Sequence, residues 1–278
     1  MTRHWSPDMT MKLVDAAVVS NDEVWNGARL MWVRAPDIAA LARAGQYVMV
    51  RCGDGQEMVL RRPLSVHRVS GDGGVAFLFS VVGSGTEWLA ERKPEETLDL
   101  LGPLGNGFQV DDDAENLLLV AGGIGIAPLV ALAEWVVRNG RSVTLLIGCA
   151  TAANAYPRDL LPTGIDIVVS TEDCSLGEEG MVTDLLPRFA PSADQVFACG
   201  PLLMYRRMAE MGDVLGGKPT QVLLETLLGC GVGACLGCSI ETVDGRRLVC
   251  KDGPVFDLNE IVWDEMVAPP AGRRYLAL

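Results

Sequence analysis

Between residues 10 and 108 the apolar positions of the chain come in short runs. TMKLVDAAVVS, ARLMWVRA, QYVMVRCG, RRPLSVHRVS and GVAFLFSVVG each alternate with polar residues or stay apolar over five to eight positions, with Gly-Asp, Ala-Gly or Gly-Asp-Gly between them. Short strands broken by turn residues at this spacing predict an antiparallel β-barrel, interrupted by a single helix over 87–93. Past Asp111-Asp112-Asp113 the pattern changes. The runs LLLVA, VTLLIG, IDIVVS, QVFACG and TQVLL alternate with the helical stretches PLVALAEWVVRNG and PLLMYRRMAEM. In the first of these helices Leu129, Leu132, Ala133, Val136 and Val137 share one face. Pro128 suits its first turn and Gly140 its stop. Alternation of β and α predicts a doubly wound parallel sheet.

The last strand of that sheet runs straight into a crowd of cysteines, which opens a third region. The expected architecture is multidomain, β plus α/β: an antiparallel barrel over 1–111, a doubly wound parallel-sheet domain over 112–222, and a cysteine-bearing segment over 223–278. The final residues, APPAGRRYLAL, read as a loose tail or a docking segment. One stretch imitates a membrane span: 18 uncharged residues, NLLLVAGGIGIAPLVALA, lie between Glu115 and Glu134. Gly122, Gly123, Gly125 and Pro128 break it in the middle, so a strand, a tight turn and a helix explain it better.

Composition narrows the partners. The 278 residues are 49% apolar, enough for real cores, and carry a net charge of −13 without any Lys/Arg-rich run. That balance disfavours nucleic acid and anionic membrane, both of which select basic surfaces. The N-terminus lacks an apolar core with a small-residue cleavage site, so no secretory signal is expected. Eight cysteines in such a chain point to reduced thiols in the cytoplasm, where clustered cysteines mean metal more often than disulfides.

Four motifs carry chemistry. Cys230, Cys235 and Cys238 form C-x4-C-x2-C, and Cys250 supplies a distant fourth thiolate. This is the spacing of plant-type [2Fe–2S] ligation. Gly231, Gly233, Ala234 and Gly237 let the loop fold closely and aim N–H groups at the sulfurs. Structural zinc, which favours two C-x2-C pairs or histidines, and unliganded thiols are the alternatives. Second, Arg61-Arg62-Pro63-Leu64-Ser65 interrupts an apolar run. Alone it reads as an edge strand with surface arginines. Together with Gly83-Ser84-Gly85-Thr86, a glycine-rich turn opening the helix, it suits a pyrophosphate. Third, Gly122-Gly123-Ile124-Gly125-Ile126-Ala127-Pro128 sits at a strand-to-helix turn and is either a packing turn or a dinucleotide-binding one. Fourth, Cys199-Gly200-Pro201 lies at the same edge of the sheet. Buried thiols are expected for Cys52, Cys149 and Cys174, and His4 and His67 receive no role.

In this order the motifs resemble the ferredoxin–NAD(P) reductase superfamily, and within it the electron-transfer subunits of the NAD-dependent (type B) dihydroorotate dehydrogenases. Ala44-Gly45-Gln46-Tyr47 resembles the strand entering the flavin barrel. Thr171-Glu172-Asp173-Cys174-Ser175, Gly180–Asp184 and Cys250–Phe256 extend the likeness, which covers about residues 10–263. Thr226-Leu227-Leu228 departs from the basic residue and methionine that the family tends to place before its cluster. The resemblance implies FAD, bound by the signature Arg62-Pro63-Leu64-Ser65 with Arg62 at the pyrophosphate and Ser65 near the reactive edge of the isoalloxazine, by Leu78, Phe79 and Ser80 bordering the flavin, and by Gly85 and Thr86 at a phosphate. It also implies NAD(H) at Gly122, Gly123, Gly125, Pro128, Cys199, Gly200 and Pro201. No general acid, base or nucleophile is required of the protein. The implied partner is an FMN-containing dihydroorotate dehydrogenase catalytic subunit in a heterotetramer, in cytoplasmic pyrimidine biosynthesis. A reductase subunit for another flavoprotein, a hydrogenase or a bifurcating transhydrogenase is the alternative. NADH is expected over NADPH, because Glu172 and Asp173 would repel a 2′-phosphate.

Overall fold

The computed structural model describes residues 11–53, 55 and 58–266. Its first part is a seven-stranded antiparallel sheet of β1 (Lys12–Trp25), β2 (Ala28–Arg34), β3 (Tyr47–Val50), β4 (Arg62–Ser65), β5 (Arg68–Val69), β6 (Gly74–Ser80) and β7 (Thr97–Leu104), in the order β4-β3-β7-β1-β2-β6-β5. The two edge strands, β4 and β5, are neighbours in the chain. Val66 N–H donates to Gln46 O next to β3, and His67 N–H donates to Ala76 O on β6. The connection thus joins one edge to the other and curls the sheet around Val48, Leu64, Phe77, Phe79 and Leu98.

The apolar pattern missed β7, whose glycine and proline disguise it, and ended β1 too early. Residues Asn21–Trp25 are polar enough to read as loop, yet they pair with β2 across a two-residue Asn26-Gly27 hairpin turn. Gly27 has φ +79, the left-handed conformation such a turn needs. Two helices accompany the barrel rather than one: α1 (Pro36–Ala39) and α2 (Ser84–Ala90). The second begins three residues before the expected 87, because the glycine-rich turn forms its first turn. Thr86 Oγ1 accepts from Val82 N–H at 2.9 Å and Gly83 N–H at 3.2 Å, satisfying donors ahead of the helix.

The α/β part holds β8 (Asn116–Gly122), α3 (Ile126–Arg138), β9 (Ser142–Cys149), β10 (Asp166–Thr171), β11 (Glu178–Glu179), α4 (Leu186–Phe189), β12 (Gln195–Cys199), α5 (Leu202–Glu210), α6 (Gly212–Leu215) and β13 (Thr220–Leu223). These strands are parallel, as the alternation predicts. The apolar run 116–133 is indeed strand, turn and helix, and among the described residues no helix is long and apolar enough to cross a membrane. The C-terminal segment folds as a hairpin of β14 (Ser239–Thr242) and β15 (Gly245–Leu248), followed by α7 (Val249–Asp252) and β16 (Val255–Asp257). β16 returns to pair antiparallel with β13, completing the order β11-β10-β9-β8-β12-β13-β16. Barrel and α/β sheet meet at the β4–β5 connection. There His67 is fully buried, with Nδ1 2.8 Å from Ala127 O and Nε2 2.9 Å from the Tyr156 hydroxyl. Arg68 Nε lies 2.8 Å from Glu134 of α3.

Candidate functional site

On the barrel, β3 and β4 place Tyr47 opposite Ser65 and Val50 opposite Arg62. The Arg62 side chain crosses the first turn of α2 so closely that a Cβ on Gly85 would sit 2.7 Å from its Nε. Arginine and helix start, 22 residues apart in the chain (Arg62 to Ser84), therefore come together as the sequence suggested. Glycine is needed at 85 for this approach. Thr86 is buried and its hydroxyl is committed to the turn, donating to Gly83 O at 2.9 Å. What the turn offers outward is the backbone N–H groups that a helix start leaves unpaired. Leu78 and Phe79 are fully buried. Phe79 packs inside the barrel and Leu78 against the α/β part, so neither lines the cleft described next.

That narrow cleft is walled by Tyr47, Pro63 and Ser65 from the barrel, Leu223, Leu224, Glu225, Thr226 and Leu228 from the end of β13, and Pro254. Two polar atoms on its wall, Ser65 Oγ and Glu225 Oε1, are buried without a hydrogen-bond partner. Each such atom costs about 1–3 kcal/mol, and two of them on residues lining one cleft are not accounted for by the protein's own donors and acceptors. Burial pushes the Glu225 carboxyl up to about 8, so it is mostly protonated at neutral pH. The Cys199 thiol lies well above its usual range, through burial first and the Glu225 charge second.

The nucleotide turn and the Cys199 turn are adjacent, because β8 and β12 pair with Cys199 beside Ala121. A Cβ on Gly125 would lie 2.1 Å from Cys199 O, one on Gly122 2.7 Å from Pro201 Cδ, and one on Gly200 2.6 Å from Met204 Cε. Those three glycines are demanded by packing. Gly123 differs: it has φ +55 and open space around its missing Cβ. Pro128 is buried in the first turn of α3. Sequence reasoning missed Tyr205, whose hydroxyl accepts from Gly200 N–H at 2.8 Å and donates to Leu223 O at 2.6 Å, tying α5 to both strand ends. It also misplaced Cys174, which is exposed with φ +58 because it sits in the turn after β10. Cys52 and Cys149 are buried as expected; His4 lies outside the described residues.

The four cysteines lie in one cluster: Cys230 and Cys235 come within side-chain hydrogen-bonding reach of each other, as do Cys238 and Cys250, and Cys250 N–H donates to Cys238 Sγ at 3.5 Å. Among the described residues no group of three or more His, Cys, Asp or Glu side chains is placed to hold a single metal ion. A two-iron cluster takes two thiolates per iron, and four neighbouring thiols of this spacing supply that donor set. The loop's N–H groups turn inward: Val232, Ala234 and Cys235 donate to Cys230 Sγ at 3.3–3.4 Å, and Gly233 donates to Cys250 Sγ at 3.1 Å. Burial alone would raise the Cys230 thiol, but these donors outweigh it and bring it to about 6, favouring the thiolate that binds metal. Cys238 and Cys250 are buried and Cys235 is exposed. Leu227, Val232 and Leu236 are exposed on the same segment.

Comparison with known proteins agrees with this geometry. Residues 225–262 match the family model described as the iron-sulfur cluster binding domain of dihydroorotate dehydrogenase B. The electron transfer subunit of dihydroorotate dehydrogenase B (NAD(+)) from Desulforamulus reducens is 37% identical over 265 residues, covering 91% of this chain and 99% of that one. The corresponding subunit from a Geobacillus species is 38% identical over 225 residues, covering 78% and 86%. Among solved structures, one of the NADH-dependent reduced ferredoxin–NADP oxidoreductase, described for flavin-based electron bifurcation, superposes with a TM-score of 0.82 at 28% identity over 90% of both chains. The ferredoxin reductase of carbazole 1,9a-dioxygenase shares the fold, with a TM-score of 0.65 at 22% identity over 77% of this chain and 68% of that one.

Proposed function

Because this chain belongs to the family of electron-transfer subunits of NAD⁺-dependent dihydroorotate dehydrogenase B, we propose that it moves electrons between NAD(H) and a separate dihydroorotate-oxidising subunit through one FAD and one [2Fe–2S] cluster. Bound FAD supplies the exchange between a two-electron hydride and single electrons, and the cluster supplies a one-electron carrier. The protein's own residues bind, orient and tune. Arg62 with the backbone of Ser84–Thr86 holds a pyrophosphate, supported by the guanidinium lying over Gly85. Ser65 and protonated Glu225 offer their unpartnered atoms to the polar edge of the isoalloxazine. Pro63 and Leu64 shape the strand beneath it. Leu78 and Phe79 support Ser80 and the barrel wall by packing rather than by contact with the flavin.

On the α/β side, the open face at Gly123 and the turn Cys199-Gly200-Pro201 receive the nicotinamide nucleotide, while Gly122, Gly125 and Pro128 set the close packing that shapes its floor. Cys230, Cys235, Cys238 and Cys250 hold the cluster. The observation that carries this reading is the shared cleft, lined by the arginine–serine strand, by the end of the nucleotide sheet, and by Leu228 and Pro254, which flank the cysteines in the chain. In domain terms, residues 1–111 serve the flavin, 112–222 the nucleotide and 223–278 the cluster. Exposed Leu227, Val232 and Leu236 beside Cys235 suit docking of an FMN-containing catalytic subunit, in a cytoplasmic heterotetramer.

The test is reconstitution. Anaerobically purified chain should carry flavin and two irons, yet oxidise dihydroorotate with NAD⁺ only when the catalytic subunit is added. Full-rate oxidation by the isolated chain would overturn the reading. The structural likeness to the bifurcating oxidoreductase subunit favours one second reading, the same carrier chain serving a transhydrogenase. Tight binding to that enzyme's partner subunit, with indifference to dihydroorotate, would select it.

A further inference from the structure

Tyr47 belongs to the barrel, but its hydroxyl reaches the cluster segment. Its ring lies on the cleft wall beside Pro63 and Ser65, and it is packed so tightly that a Cβ on Gly105 would sit 2.9 Å from Cε1. Beyond the ring, Oη lies 3.0 Å from Gly231 O and 3.2 Å from Cys250 O. These two carbonyls come from the two arms of the segment, one just after the first cysteine and one on the last. Asn106 also ties the barrel to the segment, through Asp252 O at 2.9 Å and Lys251 O at 3.3 Å, but it reaches the second arm alone. Gly231 lies flat on the barrel, with φ +74 and its missing Cβ 2.8 Å from Met49 Cγ. The approach that brings its carbonyl to Tyr47 therefore needs glycine.

The Gly231 carbonyl shares one peptide group with the Val232 N–H, and that N–H donates to Cys230 Sγ at 3.4 Å. A hydrogen bond to the oxygen of a peptide draws charge from its nitrogen and strengthens the N–H as a donor, so bonds in such a chain reinforce one another. Donors aimed at cluster sulfurs stabilise the more negative, reduced state and raise the potential. Resting on the [2Fe–2S] assignment above, the geometry points to Tyr47 as the positioning residue that couples the flavin cleft to the cluster: its hydroxyl locks the cysteine loop to the barrel and, through the Gly231–Val232 peptide, raises the cluster's reduction potential. Tyr47 thus gives a route from cleft to ligand sulfur made of one side chain and one peptide.

Tyr47→Phe removes the hydroxyl and keeps the ring. In the anaerobically purified full chain, the cluster's midpoint in a titration followed by paramagnetic resonance should move to a more negative value. Amide exchange at Val232 and Ala234 should quicken about 3- to 10-fold, as loss of one ordinary hydrogen bond predicts. Asn106→Ala loosens the second arm without touching the peptide aimed at Cys230, so it should quicken exchange near Lys251–Gly253 and leave the midpoint in place. An unchanged midpoint in Tyr47→Phe, or an equal shift in Asn106→Ala, would overturn the proposal. Parent protein without iron would instead sink the cluster assignment itself, and with it this inference.

Discussion

Replacing Glu225 with glutamine should stabilise the protein increasingly as pH rises. The carboxyl sits at the end of β13 with Oε1 sealed from solvent and unpartnered, and burial raises it from an ordinary 4.5 to about 8. Between those values the unfolded chain has released this proton while the folded chain still holds it. Stability therefore falls as pH rises through the window, by about 1.4 kcal/mol per unit for one proton. Below pH 4.5 the group contributes nothing, and above 8 the loss is complete. Glutamine keeps the shape and does not titrate. The unfolding free energy of Glu225→Gln minus that of the parent should grow by roughly 4 kcal/mol between pH 5 and pH 8. Cys199 and Tyr205, the titratable groups coupled to this carboxyl, both lie well above their usual ranges, burial being the first cause in each. Neither can mimic the effect in that window. Urea unfolding of both flavin-loaded proteins at several pH values, read by the visible circular dichroism of the flavin, makes the measurement. A difference that stays flat with pH would mean that Glu225 is ionised in the folded protein, and the neutral hydrogen-bonding role given to it in the cleft would be wrong.

Three further outcomes follow from other parts of the structure. Cys235→Ser should abolish the visible and paramagnetic signature of the cluster while leaving flavin bound, since no wall of the cleft comes from residues 229–238; loss of both cofactors in a folded protein would refute that separation. His67→Leu strands the Tyr156 hydroxyl and should cost about 1–3 kcal/mol at neutral pH. Because burial lowers His67 from 6.5 to about 3, the parent's stability should also fall as pH drops from 6.5 towards 3, and a leucine variant with the same acid slope would contradict this. NADH should reduce the flavin faster than NADPH in stopped flow at equal concentration. Asp173, in the turn after β10, is exposed and held below the usual carboxylate range, first by the Ser175 hydroxyl, so it stays charged and would repel a 2′-phosphate brought to that turn; faster reduction by NADPH would reverse the assignment.

Much of the candidate site was legible in the sequence because its residue types are rare in their places. Four cysteines in an uncharged glycine-rich stretch, and an arginine pair interrupting a strand, have few bland explanations. The contacts that sequence reasoning missed share a different property. Tyr47 reaches carbonyls 184 and 203 positions away, His67 pairs with Ala127 and Tyr156, and Tyr205 bonds backbone at the tips of two strands. Their partners are mostly main-chain oxygens, which every residue possesses, so no spacing rule announces them. Glu225 is the same case: one acid after a strand reads as surface until the fold sets it on a cleft wall with Leu224, Leu228 and Pro254.

The glycines show why a motif and its bland reading need not compete. Gly122, Gly125 and Gly200 look like a nucleotide-binding pattern, yet backbone or side-chain atoms already stand 2.1–2.7 Å from where their Cβ atoms would be. Packing alone therefore accounts for glycine at each. But the packing they permit draws the Cys199 turn up against the start of α3, and only then do the ends of β8 and β12 form one continuous edge with Gly123 facing outward. A larger residue at 125 would push the two strand ends apart before any ligand arrived. The close approach is thus a condition for the binding edge, and substitution there should weaken the fold and nucleotide binding together, whereas Gly123→Ala, with open space around it and strain only from its φ of +55, should cost about 1 kcal/mol in stability and act chiefly on KM for NADH. A Gly123→Ala variant that loses stability as heavily as Gly125→Ala would mean that both glycines serve packing alone.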